Sequence, residues 1–135
     1  TRKILVVDDD PDARQTLACV LAPVGKVIAA ADGAGALFLI ATERPQLMLL
    51  DVDMPEMGGL DVLVSGLKLS PGMVVIMLTG QDDIAVAKAA LEKGARAYIT
   101  KPVDPLRLRE QIQDILVKNT RSDGPGRSMP WRVVT

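Results

Sequence analysis

Acidic residues cluster where two apolar runs end. Asp8, Asp9 and Asp10 follow Ile4-Leu5-Val6-Val7, and Asp51 follows Leu47-Met48-Leu49-Leu50, with Asp53 two places further on. Thr79 closes the run Val74-Val75-Ile76-Met77-Leu78, and Lys101 comes directly after Ala97-Tyr98-Ile99-Thr100. Carboxylates gathered in one place repel and raise each other's pKa unless a cation intervenes. With oxygen ligands only, and neither histidine nor thiolate, the fitting ion is Mg²⁺ or one similarly hard, keeping several of its waters. Lys101 and such an ion make a cationic cradle for a tetrahedral anion. Inside that cradle an aspartate carboxylate can attack phosphorus and form an acyl phosphate.

These residues act together only if the fold brings them to one edge. The apolar runs, with Val27-Ile28-Ala29-Ala30 as the second of five, show no polar alternation, which suits strands covered on both faces. Helix-period segments lie between them. Asp10-Pro11 reads as an N-cap with proline at the first helical position, ahead of the stripe Ala13, Leu17, Val20, Leu21. A second helix is predicted from about Gly33 to Thr42, and a third through Leu60, Leu63, Val64 and Leu67. A fourth runs from Ile84 to Lys93, and a fifth follows Pro105 with Leu108, Ile112, Ile115 and Leu116 inward. The inner face of the fourth is mostly alanine, so it is expected to be loosely anchored. Five β-then-α units up to residue 118 predict an α/β fold: a parallel sheet with right-handed crossovers and helices on both faces. Ligands of such sheets bind beyond the carboxyl ends of the strands, where the residues above all sit. Residues 119–135, rich in Ser, Gly, Pro and Arg, read as a flexible linker or C-terminal tail.

Composition removes several functions. The 135 residues include no histidine, which excludes Ser/His/Asp and Cys/His catalysis, histidine metal ligands and an internal phosphohistidine relay. Lys and Arg number 16 against 17 Asp and Glu, a net charge of −1 that gives no general pull toward nucleic acid or an anionic membrane. Cys19 stands alone, so no internal disulfide forms, and a reducing compartment fits. No apolar run approaches the roughly 20 residues that span a bilayer. A cytoplasmic location is expected, with no membrane partner and no direct binding of nucleic acid.

Four motifs in order carry a family resemblance: Val7-Asp8-Asp9, Asp51-Val52-Asp53-Met54-Pro55-Glu56-Met57-Gly58-Gly59, Thr79-Gly80, and Tyr98-Ile99-Thr100-Lys101-Pro102. Over about residues 3–118 the chain resembles the receiver domain of bacterial two-component response regulators. The resemblance implies a doubly wound, flavodoxin-like (βα)5 fold with a five-stranded sheet in the order 2-1-3-4-5. It implies that Asp51 accepts a phosphoryl group from the phosphohistidine of a sensor histidine kinase or phosphotransfer protein. Mg²⁺ would be held by Asp9, Asp51 and the Asp53 backbone carbonyl, with Asp8 acting through water. Lys101 would pair with a phosphoryl oxygen, across a cis Lys101-Pro102 bond. Thr79 would donate its hydroxyl to the phosphate, and Tyr98 would turn from solvent into the space vacated. The face made by the fourth helix, fifth strand and fifth helix would then act on an output domain or protein target, and through it a homodimer is plausible. Asp53 and Gln81 lie where phosphate lifetime is tuned in the family.

Rival functions fit less of the chain. Asp51-Val52-Asp53 also resembles the nucleophile and acid pair of haloacid dehalogenase-type phosphatases, but that motif opens its domain on the first strand. A nucleotide or flavin binder needs a glycine-rich phosphate loop after the first strand, where this chain has three aspartates. A receiver-like interaction module independent of phosphorylation has no need of the complete Asp, Thr and Lys set. The order of domain then Gly/Pro/Arg tail favours an N-terminal receiver followed by a linker, with Trp131 a tail residue.

Overall fold

The computed structural model describes residues 2–52, 58–80, 83–121 and 133–134. Strands β1 (Lys3–Val7), β2 (Lys26–Ala30), β3 (Leu47–Asp51), β4 (Val74–Thr79) and β5 (Ala97–Thr100) alternate with helices α1 (Pro11–Leu21), α2 (Gly33–Glu43), α3 (Gly59–Leu69), α4 (Ile84–Glu92) and α5 (Pro105–Arg121). The five strands pair in parallel in the order 2-1-3-4-5, as the resemblance implied.

Side-chain alternation along each strand divides the core into two layers. Leu5, Val7, Met48, Leu50, Val75, Met77 and Tyr98 face α2, α3 and α4, where Ile40, Leu63, Ala87 and Ala90 meet them. Ile4, Val6, Leu47, Leu49, Ile76, Leu78 and Ile99 face α1 and α5, where Leu17, Leu21, Leu108 and Ile112 meet them. Both faces are therefore dry, and β3 and β4 are buried at every residue. This is why their sequences carry apolar runs without alternation. The buried residues of α4 are Ala87 and Ala90, the alanine face read from the sequence.

Local chemistry sets the helix ends. The Asp10 carboxylate accepts from the Asp12 N–H at the start of α1, and Asp32 accepts from Gly35 at the start of α2. Arg44 ends α2 in the left-handed region at φ 52°, a position that usually takes glycine, while its Nη1 donates to the Leu69 carbonyl oxygen at 2.9 Å and ties α2 to the end of α3. Gly94 turns the chain from α4 toward β5 at φ 117°, and a Cβ there would lie 2.7 Å from Leu67 Cδ1.

Two features differ from the sequence reading. Helix α5 continues past residue 118 to Arg121, and Val133–Val134 forms a sixth strand, β6, parallel to β5 with Tyr98 opposite Val133 and Ile99 opposite Val134. β6 takes up backbone groups on the outer edge of β5, and valine suits a strand placed there. The remainder of the expected linker, 122–132 and 135, lies outside the described residues, as do Trp131, Asp53 and Gln81. Among the described residues, no helix is long and apolar enough to cross a membrane.

Candidate functional site

Register places the acidic residues. Val7 of β1 lies opposite Leu50 of β3, so the next residues, Asp8 and Asp51, emerge side by side at the carboxyl edge. Ladder bonds continue past the strands: Asp8 N–H donates to Ala30 O at 3.2 Å and Val52 N–H to Leu78 O at 2.9 Å. Gly59 lets α3 start close by, since a Cβ there would come within 3.0 Å of Val52 Cα and 3.1 Å of Asp51 O.

Asp8, Asp9 and Asp51 each offer a carboxylate oxygen, and these atoms all lie within 4.8 Å of one another. Asp8 and Asp51 are both 3% exposed, whereas Asp9 faces solvent. Lys101 Nζ reaches Asp51 Oδ1 at 3.2 Å from a half-exposed side chain. Its backbone N–H donates to Thr79 O at 2.8 Å, which fastens the two strand ends, and the Lys101–Pro102 peptide is cis. Thr79 is fully buried at the same edge, but its hydroxyl donates to Gly80 O at 3.0 Å.

Asp8, Asp9, Asp51 and Lys101 are thus gathered together, with Thr79 beside them. Tyr98 is not at this edge. It lies opposite Met77, 2% exposed, in the layer that contains Ala87 and Ala90. The ring lies inside, on a face whose helix α4 buries only Ala87 and Ala90, the interior position toward which the expected turn from solvent leads. Asp53, the expected source of a backbone carbonyl ligand, and Gln81 are outside the described residues. Sequence reading passed over Arg14, whose Nη1 donates to the Asp8 carbonyl oxygen at 2.8 Å. A single arginine one turn into an amphipathic helix gives no signal that separates it from a solvated charge.

Burial pushes the Asp8 carboxyl above its ordinary value, the Asp10 N–H pulls it back, and the Asp51 carboxylate pushes it up again. Because the folded value lies above the unfolded one, folding favours the protonated form. Ionised Asp8 therefore costs stability at all pH above the folded pKa, and the cost disappears as pH falls through it toward the unfolded value. Asp8→Asn keeps an oxygen for the Asp10 N–H and removes the charge. Without divalent cations it is expected to melt higher than wild type at neutral pH, with the gap closing in acid. Thermal melts across pH check this, and a gap that persists at acid pH would exclude charge as its origin.

A family model described as the response regulator receiver domain matches residues 4–113, and the chain belongs to that family. The probable transcriptional regulator ycf27 of Cyanophora paradoxa is 40% identical over 116 residues, which cover 85% of this chain and 48% of the relative. The response regulator MprA of Mycolicibacterium vanbaalenii is 37% identical over 127 residues, 93% of this chain and 55% of the relative. This chain spans about half the length of both. The crystal structure of a CheY-like response regulator receiver domain protein from Methanospirillum hungatei JF-1 matches with a TM-score of 0.84 at 36% identity, covering 89% of this chain and 97% of that one. The chain is a receiver domain of two-component response regulators.

Proposed function

We propose that Asp51 is the phosphoacceptor of this receiver, and that Asp8 and Asp9 share a Mg²⁺ with it. The observation that carries the reading is the meeting of three carboxylates within 4.8 Å, one of them 3.2 Å from a lysine ammonium. The donors are all carboxylate oxygens, a set that fits a hard divalent ion, with Asp9 and Asp51 as direct ligands and Asp8 acting through water. When bound, the ion neutralises the acidic cluster and the charge on an incoming phosphoryl group. The Asp53 carbonyl completes the set in this reading.

A carboxylate oxygen of Asp51 attacks phosphorus of the donor. The P–N bond of a histidine kinase or phosphotransfer phosphohistidine breaks, and its electron pair returns to the imidazole, which takes up a proton. Lys101 already lies where a phosphoryl oxygen on Asp51 would arrive, so its ammonium acts on the transfer itself. Thr79 is different, because its hydroxyl now serves the Gly80 carbonyl and must turn to reach the phosphate. The bond it gains exists only in the modified state, which is the condition for shifting a population.

The added charge is about −1.5 to −2. Driving a switch from 1:99 to 99:1 takes about 5.5 kcal/mol of differential interaction. A new bond from Thr79 to a charged oxygen contributes about 1.5–3 kcal/mol of this. Contacts of the phosphoryl group with the Lys101 ammonium and with Mg²⁺ would supply the remainder. The shifted face, α4 with β5 and α5, then addresses an output domain or protein target, or a second copy of the chain, in the cytoplasm. The domain carries the mark until water attacks phosphorus and releases it, with Asp53 and Gln81 setting that lifetime.

The test is intact mass after incubation with Mg²⁺ and acetyl phosphate. One phosphoryl adduct is expected, absent in EDTA and absent in Asp51→Asn. An adduct that survives in Asp51→Asn would overturn the assignment, and continuous release of phosphate without a stable adduct would mark a phosphatase instead.

A further inference from the structure

One charged side chain at the acidic edge has no part in the transfer described above. Arg14 stands one turn into α1, partly buried, with Nη1 donating to the Asp8 carbonyl oxygen at 2.8 Å. The loop between β1 and α1 otherwise bonds mostly to itself. Asp10 N–H donates to Asp8 Oδ1 at 3.0 Å, Asp12 N–H to Asp10 Oδ1 at 3.0 Å, and Arg14 N–H to Asp10 O at 3.0 Å. The Asp8 carbonyl belongs to the peptide plane that joins Asp8 to Asp9. Fixing that oxygen fixes the orientation of the plane, and with it the direction in which the exposed Asp9 carboxylate leaves the backbone.

We propose that Arg14 is a positioning residue for the cation site, holding the Asp8–Asp9 peptide so that both carboxylates stay turned toward Asp51. The inference rests on the reading of Asp8, Asp9 and Asp51 as a cation site. Without a cation these carboxylates repel one another, and rotation of the Asp8–Asp9 peptide is the simplest way for them to separate. A charge-assisted bond from a guanidinium opposes that rotation more strongly than a neutral donor would.

Two effects of Arg14 on a dication have opposite signs. Its positive charge repels the ion, and its hold on the loop pre-assembles the ligands. The charge is partly screened, since the side chain reaches solvent, whereas groups that orient metal ligands typically change affinity by about 10–100-fold. Orientation therefore wins, and removing Arg14 weakens binding.

The experiment is calorimetric titration of wild type, Arg14→Gln, Arg14→Lys and Asp9→Asn with Mg²⁺, together with thermal melts in metal-free buffer. Arg14→Gln is expected to bind Mg²⁺ about tenfold more weakly, and Arg14→Lys to fall between it and wild type. At saturating Mg²⁺, adduct formation from acetyl phosphate by Arg14→Gln returns to the wild-type rate, because the Lys101–Asp51 contact is untouched. Tighter binding by Arg14→Gln would mean that charge alone operates, and would overturn the proposal. So would a lowered melting temperature with unchanged affinity, or a transfer defect that persists at saturation. If Arg14→Gln does not fold, Arg14→Lys decides, with weaker binding supporting the proposal and unchanged binding overturning it. Wild-type protein that takes up no Mg²⁺, or an Asp9→Asn that binds like wild type, overturns the cation site itself. Wild-type binding with an unchanged Arg14→Gln overturns the role of Arg14 alone.

Discussion

Lys101→Met is expected to slow formation of the Asp51 adduct by about 10²–10³-fold at saturating Mg²⁺ and acetyl phosphate. Lys101 Nζ is 3.2 Å from Asp51 Oδ1, so in the proposed mechanism the ammonium needs little rearrangement to stabilise charge on the transferring group. Methionine keeps most of the side-chain length and removes the charge, so packing changes little. The same substitution removes a counter-charge from the acidic cluster, which strengthens the attraction of that cluster for a dication. Mg²⁺ affinity should therefore hold or rise while the rate falls. That split separates a transfer role from a structural one, because a distorted site would lose both. Rates from a time course of intact mass, set beside calorimetric Mg²⁺ affinities, decide it. Wild-type rates in Lys101→Met would remove Lys101 from the mechanism.

Thr79 belongs to the other half of the process. Its hydroxyl donates to Gly80 O, so in the proposed mechanism it must turn before it reaches a phosphoryl group on Asp51. Thr79 ends β4 and Lys101 directly follows β5, joined by Lys101 N–H to Thr79 O at 2.8 Å, and the proposed mechanism has them act at different times.

What the sequence disclosed follows from how parallel sheets are built. Apolar runs such as Leu47–Leu50 and Val74–Leu78 are legible because both faces of β3 and β4 are covered, so no polar residue interrupts them. Asp8, Asp51, Thr79 and Lys101 are legible because each ends or follows a strand, and parallel strands in register deliver their carboxyl ends to one edge. Orientation across the sheet is not legible in the same way. Tyr98 faces the α2–α4 layer because it lies opposite Met77, and that pairing depends on the register between β4 and β5. Arg14 needs the path of the β1–α1 loop before its target carbonyl exists. The left-handed turn at Arg44 carries no glycine to announce it, and two valines in a polar tail are too short a run to read as β6.

Ile76→Ala is expected to destabilise the protein by about 2–5 kcal/mol. Ile76 is fully buried in the middle of β4, opposite Leu49 on β3 and Ala97 on β5, in the layer under α1 and α5. Ala97 is too small to reach into the space left behind, so collapse is incomplete and the cost should fall in the upper half of that range. A domain of this size has about 5–15 kcal/mol in total, so the loss takes from about a quarter to all of the margin. Mg²⁺ at a hundredfold excess over its dissociation constant returns about 2.7 kcal/mol. In the proposed function the ion would bind at the carboxyl edge, and Ile76 makes its contacts in the layer under α1 and α5, so the two effects should add with little coupling. Melts with and without Mg²⁺ should then show Ile76→Ala far below wild type in both buffers and shifted upward by the same increment. Asp8→Asn should melt higher than wild type without the ion and gain less from it. A loss under 1 kcal/mol in Ile76→Ala would contradict the packing of β4. A Mg²⁺ increment that disappears in this variant would mean that the site is assembled only when the layer beneath it is intact.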